Sequence, residues 1–232
     1  MFSQQTLDFL SENRLRNSKE WFEAHREDYR RHVFTPLAEL VTALTPTMRG
    51  IDDGLICEAK VDKSVSRIYR DVRFSKDKSL YREEQWCVFT RNKKLYEGPP
   101  EFFFVISPKS WLYGTGYYQT SAEAMESIRG MILKNDPDFQ KAQAAYENLQ
   151  NDFHMDGELR KRSKYPDQPE KLRNWLDRKS IAVMRESADF GMLFSERLAD
   201  TVGKDYRRLA PVYYFFIKAE SGKNGGDSRK QG

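Results

Sequence analysis

The sequence predicts an α+β fold in a single domain, a mostly antiparallel sheet flanked by helices from both ends of the chain. Three observations predict it. Residues 86–118 hold three short runs rich in aromatic and β-branched side chains, Trp86–Thr90, Phe102–Ser107 and Trp111–Tyr118, joined by brief connections that favour antiparallel pairing. Before and after this region, apolar residues recur at helical intervals instead. At 232 residues with 39% hydrophobic content, the chain can bury one sizeable core. Strands in the middle with helices on either side suit this class better than a doubly wound fold.

In chain order, Ser3 caps a first helix that carries Leu7, Phe9 and Leu10 and closes at Asn13. Asn17 and Glu20 have capping-box spacing for a second, whose Trp21, Phe22, His25, Tyr29 and Val33 form an apolar face; Pro36 ends or kinks it. A helical piece over Leu37 to Leu44 breaks at Thr45-Pro46. Residues 49–66 show no sustained period and read as a loop with a short strand around Leu55 to Lys60. Of the three strands that follow, Phe102 to Ile106 is apolar on both faces, which predicts a central position. Thr120 with Glu123 caps a helix burying Met125, Ile128, Met131 and Ile132, and Asp136-Pro137 starts another with Phe139, Ala142 and Tyr146 on one side. The span 152–166 is a polar loop with a basic cluster at Arg160, Lys161, Arg162 and Lys164, and Asp167 with Glu170 opens a short helix. Ser180–Met184 adds a strand to the sheet built from residues 55–118. Ser195 opens a last helix along Leu198, Val202, Tyr206 and Leu209, which Pro211 kinks or stops. The domain spans 1–218, and the Gly- and charge-rich residues 219–232 form a flexible tail.

Composition narrows the function classes. Mean hydropathy is −0.79, no run approaches a membrane span, and the opening residues lack the basic-then-apolar pattern of a signal peptide, so a cytoplasmic protein with no membrane partner is expected. Cys57 and Cys87 fit neither a disulfide framework nor a zinc site and read as inert thiols. Asp53 with Glu58-x-Lys60 has the residue types of a metal-dependent nuclease at too short a spacing, and His25 and His32 read as core or surface residues, so no metal site and no cofactor is assigned.

The stretch 67–82 concentrates the chemistry. It holds six basic residues (Arg67, Arg70, Arg73, Lys76, Lys78, Arg82) against Asp71 and Asp77, an excess of four that equals the net charge of the whole chain. Read as a strand, it puts Arg70 among Ile68, Val72 and Phe74; read as a helix, it clusters Arg67, Arg70, Asp71 and Phe74. In both, a buried Arg70 needs a carboxylate, Asp71 or another. One expectation is an anion pocket for a phosphate- or carboxylate-bearing small molecule, bound by Arg67, Arg70, Arg73 and Lys78, with Asp71 and Tyr81 as catalytic proton-transfer or orienting groups. The other is a salt-bridge network that pins a loop, on a non-enzymatic binding module for nucleic acid or an acidic protein. Gly114 and Gly116, ending a strand before the Thr120-capped helix, are either further ligand-binding positions or glycines of a tight turn.

The pattern Arg67-x-x-Arg70-Asp71-x-Arg73-Phe74-x-x-Asp77-Lys78-x-x-Tyr81 resembles the signature of a bacterial family, domain of unknown function 2461. Asn17-Ser-Lys-Glu20-Trp21-Phe22, Gly114-x-Gly116 and the Gly157 loop resemble its other landmarks, so the likeness covers most of the chain. The resemblance implies a single-domain family fold and brings no activity, ligand or cofactor with it.

Overall fold

A computed structural model describes residues 1–73, 76–92 and 98–221. The class is α+β, with helices before and after a five-stranded antiparallel sheet. The strands are β1 (Gln85–Thr90), β2 (Glu101–Ile106), β3 (Trp111–Gly116), β4 (His154–Asp156) and β5 (Ala182–Ser187), in the order β1-β2-β3-β5-β4. The chain's contacts cluster into two compact units.

The first unit comprises residues 1–89, 103–113 and 186–204. Helix α1 (Gln4–Arg16) starts at Ser3 as expected but runs past Asn13, which is fully buried inside it. It stops at Asn17, whose φ of 47° is a left-handed conformation that asparagine tolerates better than most residues. Asn17 is therefore spent on closing α1. Ser18 caps α2 (Lys19–Ala24) instead, its hydroxyl accepting the Trp21 N–H at 3.2 Å. Helix α3 (Arg26–Tyr29) passes through a π-helical turn, Arg30–Phe34, into α4 (Thr35–Ile51). Pro36 falls in the first turn of α4, where a missing N–H costs little, and so ends nothing. Pro46 does not break α4 either: Leu44 and Met48 are buried on either side of it, and that packing outweighs one lost hydrogen bond. The strand expected at 55–60 is absent among the described residues. Turns with isolated bridges at Val61, Val65 and Cys87 take its place. In β2 only Phe104 and Ile106 of this unit's residues are buried, while Phe103 and Val105 are half-buried, so the strand alternates rather than being covered equally on both faces. Phe104 meets Phe2, Trp111 and Tyr113.

The second unit comprises 90–102, 114–185 and 205–232. Gly114 lies against Val183 and Met184, and Gly116 against Ala182, which is the antiparallel run of β3 beside β5. A Cβ on Gly114 would fall 2.1 Å from the Val183 oxygen, so only glycine permits this approach. Helix α5 (Ala122–Leu133) is capped by Ser121 rather than Thr120, whose hydroxyl accepts from the Ile181 N–H. Helix α6 (Pro137–Glu147) begins at Asp136 as the sequence suggests, followed by the short strand β4, which polarity alone hides. Two buried arginines, Arg129 of α5 and Arg178 just after the helix, meet the end of α7 (Glu170–Leu176). Arg129 donates to the Leu176 and Arg178 carbonyls at 2.9 and 2.6 Å, and Arg178 donates to the Asn174 carbonyl at 3.0 Å. These carbonyls have no helical partners of their own, and the cations also oppose the negative end of the helix. A short helix, α8 (Phe190–Leu193), precedes the last one, α9 (Leu198–Ser221). Pro211 does not stop α9, because Leu209, Val212 and Tyr213 around it are buried. Ordered helix also continues past residue 218, with Ala219 and Glu220 buried; the remainder of the expected tail lies outside the described residues.

Replacing Gly114 by alanine is expected to destabilise the protein by about 3 kcal/mol, since the clash is with backbone that cannot move aside. Urea unfolding checks it, and an unchanged midpoint would contradict the close approach of β3 and β5.

Candidate functional site

The stretch 67–82 folds as neither strand nor helix. Tyr69 and Tyr81 form an antiparallel bridge, the Arg70 N–H donates to the Leu80 oxygen at 2.9 Å, and the Arg82 N–H donates to the Ile68 oxygen at 2.9 Å. The bridge joins the two ends of a loop of which residues 70–73 and 76–80 are described. Below the bridge the rings stack: Tyr81, fully buried, lies 5.0 Å from Phe22 and 5.2 Å from Tyr69. Phe22 in turn meets Tyr29, so α2 and α3 supply the apolar floor on which the loop is seated.

One carboxylate ties this loop to α1. Asp77 accepts from Arg70 at 2.6 Å and from Arg14 at 2.7 Å, while the Ser79 N–H donates to its other oxygen at 2.9 Å. The Ser79 amide first, and Arg14 after it, hold the Asp77 carboxyl well below the usual carboxylate range. Nearby, Asn17 Oδ1 accepts the Leu80 N–H at 2.6 Å, and Arg14 reaches the Tyr81 carbonyl at 3.5 Å. The Asn17 that closes α1 thus presents its side chain to the loop.

Each site residue read from the sequence can now be placed. Arg70 has a carboxylate partner as expected, Asp77 rather than Asp71, and its side chain, 27% exposed, is half-buried where a largely buried one was expected. A loop has no interior face comparable to that of a strand, which is why the period-two reading overstated it. Arg73 folds back on Asp71 through Nη2–Oδ2 at 2.6 Å and Nε–Oδ1 at 3.0 Å, in an exposed pair. Arg67 pairs with Asp62, whose backbone is left-handed at φ 66°. Lys78 donates to the Val72 carbonyl at 2.9 Å. Arg82 lies over the Trp86 ring, 4.5 Å from its centroid. Arg67, Arg70, Arg73, Lys78, Asp71 and Tyr81 are therefore brought into one unit, whereas Gly114 and Gly116 belong to the other, where close strand packing accounts for them. They lie within β3, not in a turn before a helix. Phe74, the expected anchor beneath the loop, lies outside the described residues.

The protonation states limit the chemistry. Hydrogen bonds from Arg73 push Asp71 down to about 2, and burial pushes the Tyr81 hydroxyl up to about 12. Neither value is near neutrality, where proton transfer is most effective, so the two groups suit fixed roles: a carboxylate that orients Arg73 and a hydroxyl that stays protonated. Among the described residues the Tyr81 hydroxyl makes no hydrogen bond of ordinary geometry, although the Tyr69 hydroxyl also favours its protonated form, and the amide of Asn13, buried in α1 one residue before Arg14, has no partner there. The sequence assigned Asn13 and Asn17 only to helix ends and Arg14 to nothing, so their place at this site was missed. The only signal for them was their place on the helix end that precedes the aromatic Trp21-Phe22 pair.

A family model described as "Conserved hypothetical protein (DUF2461)" matches residues 5–215. No curated protein matches the chain.

The Asp77 geometry sets a pH dependence. Because its folded-state value is depressed, ionised Asp77 stabilises the fold above the unfolded value of about 4, and that contribution is lost as the pH falls through the folded value. The difference in melting temperature between the parent and Asp77→Asn is therefore expected to be constant near neutrality and to shrink in acid below about pH 4. A pH-independent difference would show that Asp77 is not the paired carboxylate. For Tyr81→Phe, removing a buried hydroxyl that makes no hydrogen bond of ordinary geometry is expected to leave stability unchanged or raise it by about 1 kcal/mol in urea unfolding.

Proposed function

The chain belongs to the DUF2461 family, and for this member we propose that the loop between Arg70 and Leu80 binds a phosphate- or carboxylate-bearing small molecule. The observation that carries the reading is the sharing of Asp77. Arg67 with Asp62 and Arg73 with Asp71 are neutral pairs, but one carboxylate serves both Arg14 and Arg70, and Lys78 meets only a carbonyl in the contacts above. By composition the stretch 67–82 carries an excess of four cations, and the rings of Phe22, Tyr69 and Tyr81 pack together beside it. Guanidiniums with planar forks and a lysine as a point charge are the donor set that a phosphate or carboxylate takes. Arg70 and Lys78 are the central binders, Arg14 joins them from α1, and Arg67 and Arg73 form the rim. Asp71 and Tyr81 orient this frame, and no bond-making step is assigned to them. The unbridged thiols of Cys57 and Cys87 support a reducing, cytoplasmic setting.

Asp77 occupies the guanidiniums as an internal anion. Its replacement by asparagine removes one like charge from the ligand's surroundings, worth about 1 kcal/mol at contact in water, so binding is expected to tighten about fivefold. Calorimetric titration of inorganic phosphate and of succinate into the parent, Asp77→Asn and Arg70→Gln tests this. Tightening in the first variant and loss in the second support the site. Failure of both anions to bind the parent and Asp77→Asn would leave the loop a structural network alone.

A further inference from the structure

The motif loop is not the only basic concentration in the chain. Residues 157–179 hold eight cations (Arg160, Lys161, Arg162, Lys164, Lys171, Arg173, Arg178, Lys179) against Glu158, Asp167, Glu170 and Asp177, again an excess of four. The structure treats this segment differently from the first. Lys179 pairs with Glu158 and Lys171 with Glu147, and Arg178 is buried and donates to the Gly157 carbonyl at 2.8 Å. The side chains of Arg160, Lys161, Arg162, Lys164 and Arg173 enter no hydrogen bond or ion pair among the described residues. For Arg160 and Arg173 the Nε–H is itself shielded from solvent and unpartnered.

These five side chains extend from a fixed backbone. Leu159 and Arg178 form an antiparallel bridge, the Arg160 N–H donates to the Asp177 carbonyl at 2.9 Å, and the Lys164 N–H donates to the Asp177 carboxylate at 3.0 Å. Asp177, the acid that would otherwise neutralise the loop, is buried and serves a backbone amide. Lys161, Arg162 and Lys164 are exposed, Arg160 and Arg173 half-buried, and Tyr165 is half-buried beside them.

We propose that this loop and the adjoining α7 face bind the phosphate backbone of a nucleic acid, independently of sequence and of the motif loop. Five cations without a partner among the described residues, spread over the bent loop and the adjoining face of α7, match a ligand that carries many charges, rather than one anion that needs convergent donors. Tyr165 supplies a ring on which an unpaired base can stack, which favours single strands.

The test is fluorescence anisotropy with a labelled single-stranded oligonucleotide of mixed sequence and the full chain, across a series of chloride concentrations. Contact with four or five phosphates is expected to give a log–log salt slope of about −3, and Lys161→Glu/Arg162→Glu/Lys164→Glu to weaken binding at least tenfold with a shallower slope. A charge-matched control, Lys109→Glu/Lys134→Glu/Lys204→Glu, reverses exposed lysines elsewhere and is expected to bind much more like the parent. Should the first variant melt differently from the parent, the corresponding triple glutamine variant replaces it. No binding at low salt, equal loss in both triple variants, or tighter binding of a polyglutamate of equal charge would overturn the proposal, the last in favour of an acidic protein partner. Neither triple variant alters the motif loop, so the outcome is separable from phosphate titration at Asp77.

Discussion

The sharing of one carboxylate between two guanidiniums is the constraint on which the motif loop depends. Asp77 is reached by Arg70 from within the loop and by Arg14 from a helix 63 residues earlier in the chain, so a local turn becomes a tertiary junction. The Tyr69–Tyr81 bridge alone would close a long loop at an entropic cost with few contacts to repay it. The junction with α1 and the ring stack on Phe22 supply those contacts. Exposed ion pairs contribute little to folding. Arg73 with Asp71 is such a pair, whereas the Asp77 junction is half-shielded and reinforced by the Ser79 amide.

Elsewhere the chain uses arginine for a different purpose. Arg129 and Arg178 are buried at the end of α7 and satisfy backbone carbonyls, holding the 157–179 segment in a set course. A buried charge is tolerated there because the donors meet acceptors, backbone carbonyls for both arginines and the Glu126 carboxylate for Arg129 at 2.7 Å. The neighbouring arginines, Arg160 and Arg173, have no such acceptors. Burial and charge together, not residue type, separate structural arginines from those available to a ligand.

Much of the fold was legible because it follows local rules. The strands β1 to β3 lie within one or two residues of the aromatic runs, and the Ser3 and Asp136 caps stand where expected. The departures have physical causes. Asn17 and Ser18 compete to begin α2, and the left-handed turn that closes α1 decides for Ser18. Pro36 sits in the first turn of α4, where it costs little, while Pro46 and Pro211 do not end their helices because tertiary burial around them exceeds the local penalty. The three-residue β4 is too short to show a period. At the site, the charge count located a basic loop but could not show which cations were already paired, since Arg14, Asp62 and Asn17 approach from distant or turn positions. An equal excess in 157–179 went unweighed because only its basic cluster, and not its net charge, was considered.

The account rests on Arg14 and Arg70 being held by one internal anion that an external one can join or replace. The most direct measurement is nuclear magnetic resonance of the arginine side chains, following their 15Nε–1H signals while inorganic phosphate is added at constant ionic strength. The account predicts that Arg70 and Arg14 shift together and saturate, while Arg129 and Arg178, whose donors already meet carbonyls, do not move. Signals for Arg70 and Arg14 that stay fixed throughout the titration would contradict it.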